Sequence, residues 1–201
     1  MANPLILASG SSRRYELLKR VGLDLDVIPS GITEEFTLKE SPEEYVIRLA
    51  GAKAQEVATR NPHRWVIAAD TVVCVGCSIL GKPKDREEAM EMLGRLSGNE
   101  HWVVTGFSVN HLGKGIGDRE AVRTAVKIKA LHSCEIEWYV GTGEPFDKAG
   151  GYAIQGIGSF MVESIRGSYT NVVGLPLCEV IQMLGRLGVI TISECGFKIV
   201  S

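Results

Sequence analysis

The sequence lacks an excess of basic residues, and this excludes two large classes of binding protein. Its 22 Lys and Arg residues stand against 24 Asp and Glu residues, which gives a formal net charge of -2. Proteins that bind nucleic acids or anionic membranes use an excess of Lys and Arg to displace counterions from the partner. We therefore expect neither partner here, and any basic residues that matter for function must act locally.

The sequence also lacks long apolar runs and an export signal. No segment approaches the roughly 18 uninterrupted apolar residues of a membrane-spanning helix. The N-terminal MANPLILASG has no basic residue ahead of its short apolar stretch. The five cysteines are an odd number, and without an export signal we expect them to be reduced thiols. These absences predict a cytoplasmic protein.

Several common catalytic motifs are missing as well. The sequence contains neither a GxxxxGK[ST] phosphate loop nor a G-x-S-x-G nucleophile turn. Its four histidines have no metal-ligand spacing, and Cys74 and Cys77 form a CxxC pair without a second pair. Because this pair spans a predicted hairpin and does not open a helix, we interpret it as structural and not as a redox or zinc site.

Strand-like and helix-like patterns alternate from the beginning of the chain, which is typical of an α/β domain. Pro4 to Ala8 is a short apolar strand pattern, and Tyr15 to Val21 places its leucines and valine on one helical face. The segment Ser41-Pro42-Glu43-Glu44 combines an N-cap serine, a proline at the first helical position and a glutamate three residues after the cap. It predicts a helix from about Pro42 to Ala58.

A second buried-strand pattern runs from Trp65 to Ala69 and is expected to end at Asp70, before a hairpin that turns at Gly76. The chain shows no low-complexity linker and no internal repeat, so we expect one domain over residues 1–201. The other predicted elements are a helix capped by Asp85 and Glu88, paired strands over 101–112 and 120–131, a short helix near Glu135 to Val140, a loop from Gly141 to Gly158, and a last helix from Val173 to Leu187.

Hydroxyl and basic side chains cluster in Ser9-Gly10-Ser11-Ser12-Arg13-Arg14, where the first strand ends and the first helix begins. Backbone N-H groups and the positive end of a helix dipole meet at such a place. Guanidinium groups pair with phosphate oxygens through two hydrogen bonds. The segment is therefore a candidate anion site, and the alternative is an N-cap serine followed by solvated arginines.

Asp70 is a candidate for holding a divalent metal or accepting a proton from water, because α/β sheets present ligand-binding groups at strand ends. The alternative is an aspartate that only begins a turn with Thr71. Lys82, in Gly81-Lys82-Pro83, follows the hairpin closely enough to return near Asp70. Lys53 lies on a mostly apolar helix face, so it either extends to water or reaches a binding site as a point charge.

The segment from Gly141 to Gly156 is dense in glycine and charge and contains one amide, Gln155. Such a composition is unusual for a connector of this length and favours a binding loop. The alternative, a flexible surface loop, fits poorly with the apolar Tyr152, Ala153 and Ile154 that would anchor the segment.

Together these motifs resemble the Maf family of nucleotide pyrophosphatases. The resemblance rests on Leu7 to Arg14 (LASGSSRR), Ala68-Ala69-Asp70-Thr71, Gly81-Lys82-Pro83, and Gly143-Glu144-Pro145 through Gln155-Gly156, in the family's order and over nearly the whole chain. It implies an α/β fold of the Maf/ITPase type, with a mixed twisted sheet flanked by helices and two lobes around a central cleft. It also implies a homodimer and dependence on Mg or Mn.

The resemblance further implies roles for individual residues. Asp70 would be the catalytic carboxylate and a metal ligand, with Glu34 as a second acidic residue at the metal. The sequence departs from the family at Ser12, where proline is common, and at Thr33, where an acidic residue is frequent, which leaves open how the metal is held. The implied substrate-binding residues are Ser9, Ser11, Arg13, Arg14, Lys53, Thr71, Lys82 and Gln155.

Three of these positions indicate which nucleotide base the substrate carries. Members that resemble dTTP and UTP pyrophosphatases carry the set Arg13, Thr71 and Gln155, whereas Trp, Gln and Glu at those places accompany 7-methyl-GTP. A neutral Gln amide offers a donor and an acceptor to uracil or thymine, while Trp and Glu suit a cationic purine. We therefore expect dTTP and UTP, with CTP as a further candidate, to be cleaved to the monophosphate and pyrophosphate. The alternatives are a 7-methyl-GTP pyrophosphatase and a non-catalytic nucleotide-binding regulator of septation.

Overall fold

The computed structural model describes residues 5–33, 40–76, 78–193 and 196–200 of the chain. Short 3-10 helices cover Leu112–Lys114, Glu144–Asp147, Ala149–Gly151 and Ile157–Met161. The strands are β1 (Leu5–Leu7), β2 (Leu25–Val27), β3 (Val66–Val75), β4 (Ser78–Leu80), β5 (Glu100–His111), β6 (Ile116–Ile128), β7 (Val162–Arg166), β8 (Ile190–Ser193) and β9 (Gly196–Ile199). The α-helices are α1 (Ser12–Arg20), α2 (Pro42–Arg60), α3 (Arg86–Leu96), α4 (Ser133–Gly141), α5 (Tyr169–Val173) and α6 (Leu177–Arg186).

Seven of the strands form one mixed sheet in the order β2-β1-β3-β5-β6-β7, with β4 paired to β3. Strand β1 runs parallel to both β2 and β3, whereas β4 is antiparallel to β3 and β7 is antiparallel to β6. Strands β8 and β9 form a separate antiparallel hairpin. In the part of the chain that the structure describes, no helix combines the length and the apolar content needed to cross a lipid bilayer.

The chain divides into two compact units, and the division falls within β3, β5 and β6. Unit 1 comprises Met1–Asp70, Thr105–Val122 and Gly174–Ser201, and unit 2 comprises Thr71–Val104 and Arg123–Val173. In unit 1 the long helix α2 packs on strands β1 and β3 through small side chains, which bring the helix close to the sheet. The contacting residues include Ala54, Val57 and Ala58 of the helix, Ile6, Val66 and Ala68 of the strands, and Ala8 directly after β1.

One glycine shows how closely α2 lies against β5 within unit 1. A Cβ atom at Gly106 would overlap the backbone carbonyl of Val46. The backbones of the helix and the strand are therefore in direct contact where they cross. A side chain at position 106 would push the two elements apart. Helix α2 itself begins as predicted, because Ser41 and Glu44 form a capping box with Pro42 at the first helical position.

In unit 2, helices α3 and α4 pack on the sheet through a continuous apolar cluster. Together with the packing of α2 in unit 1, this confirms the predicted mixed α/β sheet flanked by helices. The cap of α3 is also confirmed, since the Asp85 side chain accepts a hydrogen bond from the Glu88 backbone N-H at 2.8 Å. Fully or nearly fully buried members of the cluster include Leu93, Leu96, Val103, Val126, Ile128, Tyr139 and Met161.

Three predicted elements are wrong in their bounds, of which one is the strand predicted over 120–131, since β6 runs from Ile116 to Ile128. The strand expected to end at Asp70 continues to Val75, because the β-branched residues after Asp70 extend it and β4 pairs with it. The single last helix is two helices, since Gly174, with a φ of 125°, and Pro176 separate α5 from α6. The short strands β2, β7, β8 and β9 were not predicted, because three to five residues carry little periodic signal.

The predicted hairpin is confirmed, with Gly76 at a φ of 56° in the turn between β3 and β4. Such a positive φ is a conformation that glycine adopts without steric cost. Of the CxxC pair, Cys74 is buried in β3, whereas Cys77 lies outside the described residues. Among the residues that are described, no three His, Cys, Asp or Glu side chains form a group that could hold a metal ion.

A buried histidine in unit 2 predicts how stability depends on pH. His101 is 1% exposed, its Nε2 lies 2.7 Å from Tyr152 Oη, and burial lowers its pKa from 6.5 to about 4. In the unfolded chain His101 therefore takes up a proton near pH 6.5, whereas in the folded chain it does so only near pH 4. This contribution to stability is present above pH 6.5 and is lost as the pH falls toward 4.

We expect the wild type to lose about 2 kcal/mol of unfolding free energy more than His101→Gln between pH 7 and pH 5. The glutamine keeps a polar group for Tyr152 but does not titrate. Urea unfolding of both proteins at the two pH values measures the difference. Equal losses in the two proteins would show that His101 is protonated in the folded state at pH 5.

Candidate active site

The turn between β1 and α1 places two serines at the beginning of the helix. Ser11 is the N-cap of α1, and its side chain accepts a hydrogen bond from the Arg14 backbone N-H at 3.5 Å. The Ser11 backbone N-H in turn donates to Ser9 Oγ at 3.3 Å. The predicted junction of strand and helix is therefore present, and it points hydroxyl groups and the helix N-terminus to one place. Arg13 lies half-buried in the first turn of the same helix.

Arg14 joins three segments of unit 1 that are far apart in sequence. Its Nε donates to the Gly174 carbonyl at 2.8 Å, and its Nη1 donates to the Ala69 carbonyl at 2.8 Å and to Ser9 Oγ at 3.0 Å. The guanidinium fork is suited to such bridging because its N-H groups diverge in a fixed plane. At least two of its three nitrogens are thus engaged within the protein, next to the position of Asp70.

Asp70 and Lys53 form a buried ion pair in unit 1. Lys53 Nζ lies 2.6 Å from Asp70 Oδ1, and the two residues are 7% and 6% exposed. Lys53 belongs to the buried face of α2, so its side chain does not extend to water as most helical lysines do. Burial of either charge alone would cost several kcal/mol, which makes the two side chains interdependent.

The contacts of Arg14 and Lys53 meet at one short stretch of β3. Arg14 holds the carbonyl of Ala69, and Lys53 holds the side chain of the next residue, Asp70. Ser9 and Ser11 connect to the same group through Arg14. The structure therefore brings together Ser9, Ser11, Arg14, Lys53 and Asp70 of the predicted site residues.

The other predicted site residues are placed as follows. Thr71 follows Asp70 in β3, with its side chain on the opposite face of the strand. Lys82 and Gln155 belong to unit 2, where Lys82 is exposed and Gln155 is half-buried. Glu34 lies outside the described residues.

Within unit 2 the segment of Lys82 is tied to the glycine-rich loop. The Gly150 backbone N-H donates to the Gly81 carbonyl at 2.9 Å. Gly150 has a φ of 71°, and a Cβ atom there would lie 2.9 Å from the Val73 side chain. The loop is thus held against the hairpin that leads to Lys82, and glycine is required where it passes the strand.

The loop from Gly141 to Gly158 is folded and anchored at its apolar residues. Tyr152 and Ala153 are 5% and 7% exposed, and Tyr152 Oη contacts the buried His101. Burial also raises the pKa of Tyr152, so its hydroxyl stays protonated. The apolar anchoring expected from the sequence is therefore confirmed, while the role of the loop in binding stays a prediction.

Asp70 is the acidic side chain that the described residues bring to this group, and a divalent cation would need further oxygen ligands from a substrate or from water. Mg²⁺ is commonly bound by one or two carboxylates together with phosphate oxygens and water. Asp70 supplies one carboxylate, next to groups suited to phosphate. A cation there would be held jointly by Asp70 and the ligand, since the described residues offer no cage of three acidic or histidine side chains.

Three partners were not predicted from the sequence. The Gly174 carbonyl is 160 residues from Arg14, His101 lies 51 residues before Tyr152, and Glu144 binds the backbone of Gly158. No local pattern indicates contacts over such separations. Only the motif Gly143-Glu144-Pro145 drew attention to Glu144, and it indicated no partner for the side chain.

Comparison with known proteins identifies the family. The sequence model of the Maf-like protein family matches residues 4–187, a range that includes every predicted site residue. The chain belongs to the Maf-like protein family. This confirms the resemblance drawn from the motifs.

Three relatives are half identical to this chain, and each is named dTTP/UTP pyrophosphatase. The protein of Syntrophus aciditrophicus is 50% identical over 193 residues, which cover 96% of this chain and 94% of the relative. The protein of Syntrophotalea carbinolica is 50% identical over 190 residues, covering 92% and 86% of the two chains. The protein of Geotalea uraniireducens is 50% identical over 186 residues, covering 92% and 96%. The likeness to these Maf-like proteins thus extends over nearly the full length.

The contacts of Arg14 predict that lysine cannot replace it. We expect Arg14→Lys to lower the free energy of unfolding by about 2 kcal/mol, nearly as much as Arg14→Ala, because an ammonium group cannot bridge three divergent acceptors. Urea unfolding measures both variants, with Arg20→Lys at the exposed end of α1 as the control. A lysine variant as stable as the wild type would show that only the charge at position 14 matters.

Proposed function

We propose that the chain is a nucleoside triphosphate pyrophosphatase that cleaves dTTP and UTP to the nucleoside monophosphate and pyrophosphate. The observation that carries the proposal is the buried Asp70–Lys53 pair beside the serine- and arginine-rich turn of α1. A carboxylate repels a bound triphosphate, so its presence among anion-binding groups is explained if it takes part in chemistry or holds a cation. The half-identical relatives named dTTP/UTP pyrophosphatase support the same reaction.

The cationic residues have distinct tasks in the proposed reaction. Lys53 has three N-H donors, so it can keep its contact with Asp70 and donate to a phosphate oxygen as well. Arg13 and Lys82 are proposed to bind the remaining phosphates, together with the hydroxyls of Ser9 and Ser11. Arg14 holds Ser9 and Ala69 in place and adds positive charge. These groups stabilise the charge that builds up on the departing pyrophosphate.

The proposed step is an in-line attack of water on the α-phosphorus. A bond forms between the water oxygen and the α-phosphorus, and the bond from this phosphorus to the oxygen that bridges to the β-phosphorus breaks. The bridging oxygen leaves with the electron pair as part of pyrophosphate. Asp70 either accepts the proton of the water or serves as a ligand of a divalent cation. Positioning and electrostatic stabilisation supply most of the rate.

A divalent cation, Mg or Mn, is part of the proposal. Asp70 would hold it, with Glu34 as the expected second carboxylate, and the cation would neutralise charge on the phosphate oxygens.

A homodimer is expected from the family resemblance. The cytoplasm is the proposed location, as expected from the sequence. A regulator that binds nucleotides without turnover is the alternative; it would not need Asp70 for proton transfer, although the buried Lys53 would still pair with it.

Base selection is proposed to rest on Gln155, with Arg13 and Thr71. The primary amide of Gln155 presents one acceptor oxygen and two donor hydrogens. Uracil and thymine offer a matching N-H donor flanked by two carbonyl acceptors. CTP is a further candidate substrate, whereas 7-methyl-GTP and ordinary purine triphosphates are expected to be poor.

We expect Asp70→Asn to lower kcat for dTTP by roughly a thousandfold, within the usual range for loss of a general base. The amide still accepts a hydrogen bond from Lys53 but neither takes a proton nor holds a dication as a carboxylate does. Pyrophosphate release in Mg or Mn measures the rate. Asp26→Asn is the matched control, because Asp26 also pairs with a cation in unit 1, Arg64 at 2.6 Å, but is exposed. If Asp70→Asn kept more than a few per cent of the rate, Asp70 would be removed from the mechanism.

We expect Gln155→Glu to lower kcat/KM for dTTP by about tenfold or more, the effect of an unmade buried polar contact. The assay compares dTTP, UTP, CTP, GTP and 7-methyl-GTP as substrates. Gln182→Glu on the exposed face of α6 makes the same change of charge and should leave the rates unaltered. Faster hydrolysis of 7-methyl-GTP than of dTTP by the wild type would contradict the base assignment.

A further inference from the structure

We infer that Glu144 is a positioning residue for base selection, because its carboxylate holds the turn that carries Gln155. The inference rests on the proposed function in one respect, namely that Gln155 contacts the base. Glu144 begins the 3-10 helix Glu144–Asp147 and is half-buried in unit 2.

The two carboxylate oxygens of Glu144 contact the chain directly after Gln155. Oε2 accepts a hydrogen bond from the Gly158 backbone N-H at 3.0 Å. Oε1 lies so close to Gly156 that a Cβ atom at that position would overlap it. The carboxylate therefore fills the inside of the turn, and Gly156, with a φ of 90°, is a residue that leaves room for it.

Gly158 is enclosed on its other sides as well. A Cβ atom there would lie 2.6 Å from Tyr139 Oη and 2.8 Å from the Ala153 carbonyl. Burial, and after it the negative charge of Glu144, raises the pKa of Tyr139, as expected for a phenol buried beside a carboxylate. The Glu144 carboxylate is thus part of a tightly packed site, and its hydrogen bond to Gly158 is not a chance surface contact.

Gln155 lies between two anchored points of the loop. On its N-terminal side Tyr152 contacts His101 at 2.7 Å. On its C-terminal side the Gly156 carbonyl accepts from Ser159 Oγ at 2.8 Å, but this bond is local and does not tie the turn to the rest of the loop. The bond from Glu144 to Gly158 spans 14 residues and makes that tie. Removal of the carboxylate would free the turn and the amide it presents.

A carboxylate suits this task for two reasons. A hydrogen bond from a backbone N-H to an ionised acceptor is roughly twice as strong as one to a neutral acceptor. Its two oxygens also contact Gly156 and Gly158 at once. Glutamine has the same length and keeps one acceptor oxygen, whereas aspartate keeps the charge but is one methylene shorter and withdraws from Gly158.

The test measures base discrimination, the ratio of kcat/KM for UTP to kcat/KM for GTP. Glu144→Ala and Glu144→Asp are expected to lower this ratio by about tenfold, and Glu144→Gln by no more than about twofold. In a Gln155→Ala background, Glu144→Ala should leave the ratio unchanged, because the residue through which it acts is already gone. Asp147→Ala is the matched control, an exposed acidic residue of the same short helix that should not alter the ratio.

Two results would overturn the inference. If Glu144→Ala lowered kcat/KM for UTP and GTP equally, Glu144 would have only a general structural role. If it lowered the ratio as much in the Gln155→Ala background, it would act through another residue. Should the alanine variant fail to fold, Glu144→Asp gives the same comparison.

Failure of the proposed function is distinguishable from failure of this inference. A wild type that hydrolyses no triphosphate contradicts the proposed function alone. Equilibrium binding of the α,β-imido analogues of UTP and GTP, which are not cleaved, then tests Glu144. The same variants should lower the ratio of the association constant for the UTP analogue to that for the GTP analogue by the same factors. An unchanged ratio would overturn the inference.

Discussion

The ion pair between Lys53 and Asp70 is the constraint on which unit 1 depends. Each side chain brings a charge into a place that is less than a tenth exposed, and neither can be accommodated without the other. The pair forms only if α2 lies close to the sheet and turns its buried face to β3. Small residues on the helix and the bare Gly106 on β5 permit that approach.

A buried pair of this kind is weak evidence for stability alone. Apolar residues of similar volume often give a protein that is as stable or more stable. Its presence in the middle of a buried strand is therefore better explained by chemistry than by folding. The Arg14 contacts to Ala69 and Ser9 lead to the same view, because they fix the strand at Asp70 and the turn of α1 together. These contacts hold hydroxyl groups, a guanidinium group and a carboxylate together, an arrangement that suits the proposed electrostatic catalysis.

The parts of the structure that could be predicted are those fixed by local chemistry. The caps at Ser41 and Asp85 and the turn at Gly76 each depend on a few neighbouring residues. The strand was expected to end at Asp70 because the apolar run from Trp65 to Ala69 ends there, but β3 continues to Val75, where β4 pairs with it. The Arg14 contacts over 55 and 160 residues have no local signal. The family was recognisable because several motifs, each weak alone, occur together in order.

The central claim is that water attacks the α-phosphorus of dTTP at the site built around Asp70. The most direct measurement is hydrolysis of dTTP by the wild type in water enriched in oxygen-18, with mass spectrometry of both products. The account predicts dTMP and pyrophosphate, with one heavy oxygen in dTMP and none in pyrophosphate. Label in pyrophosphate would place the attack on the β-phosphorus, and release of dTDP and inorganic phosphate would show a different reaction. Either result would contradict the account.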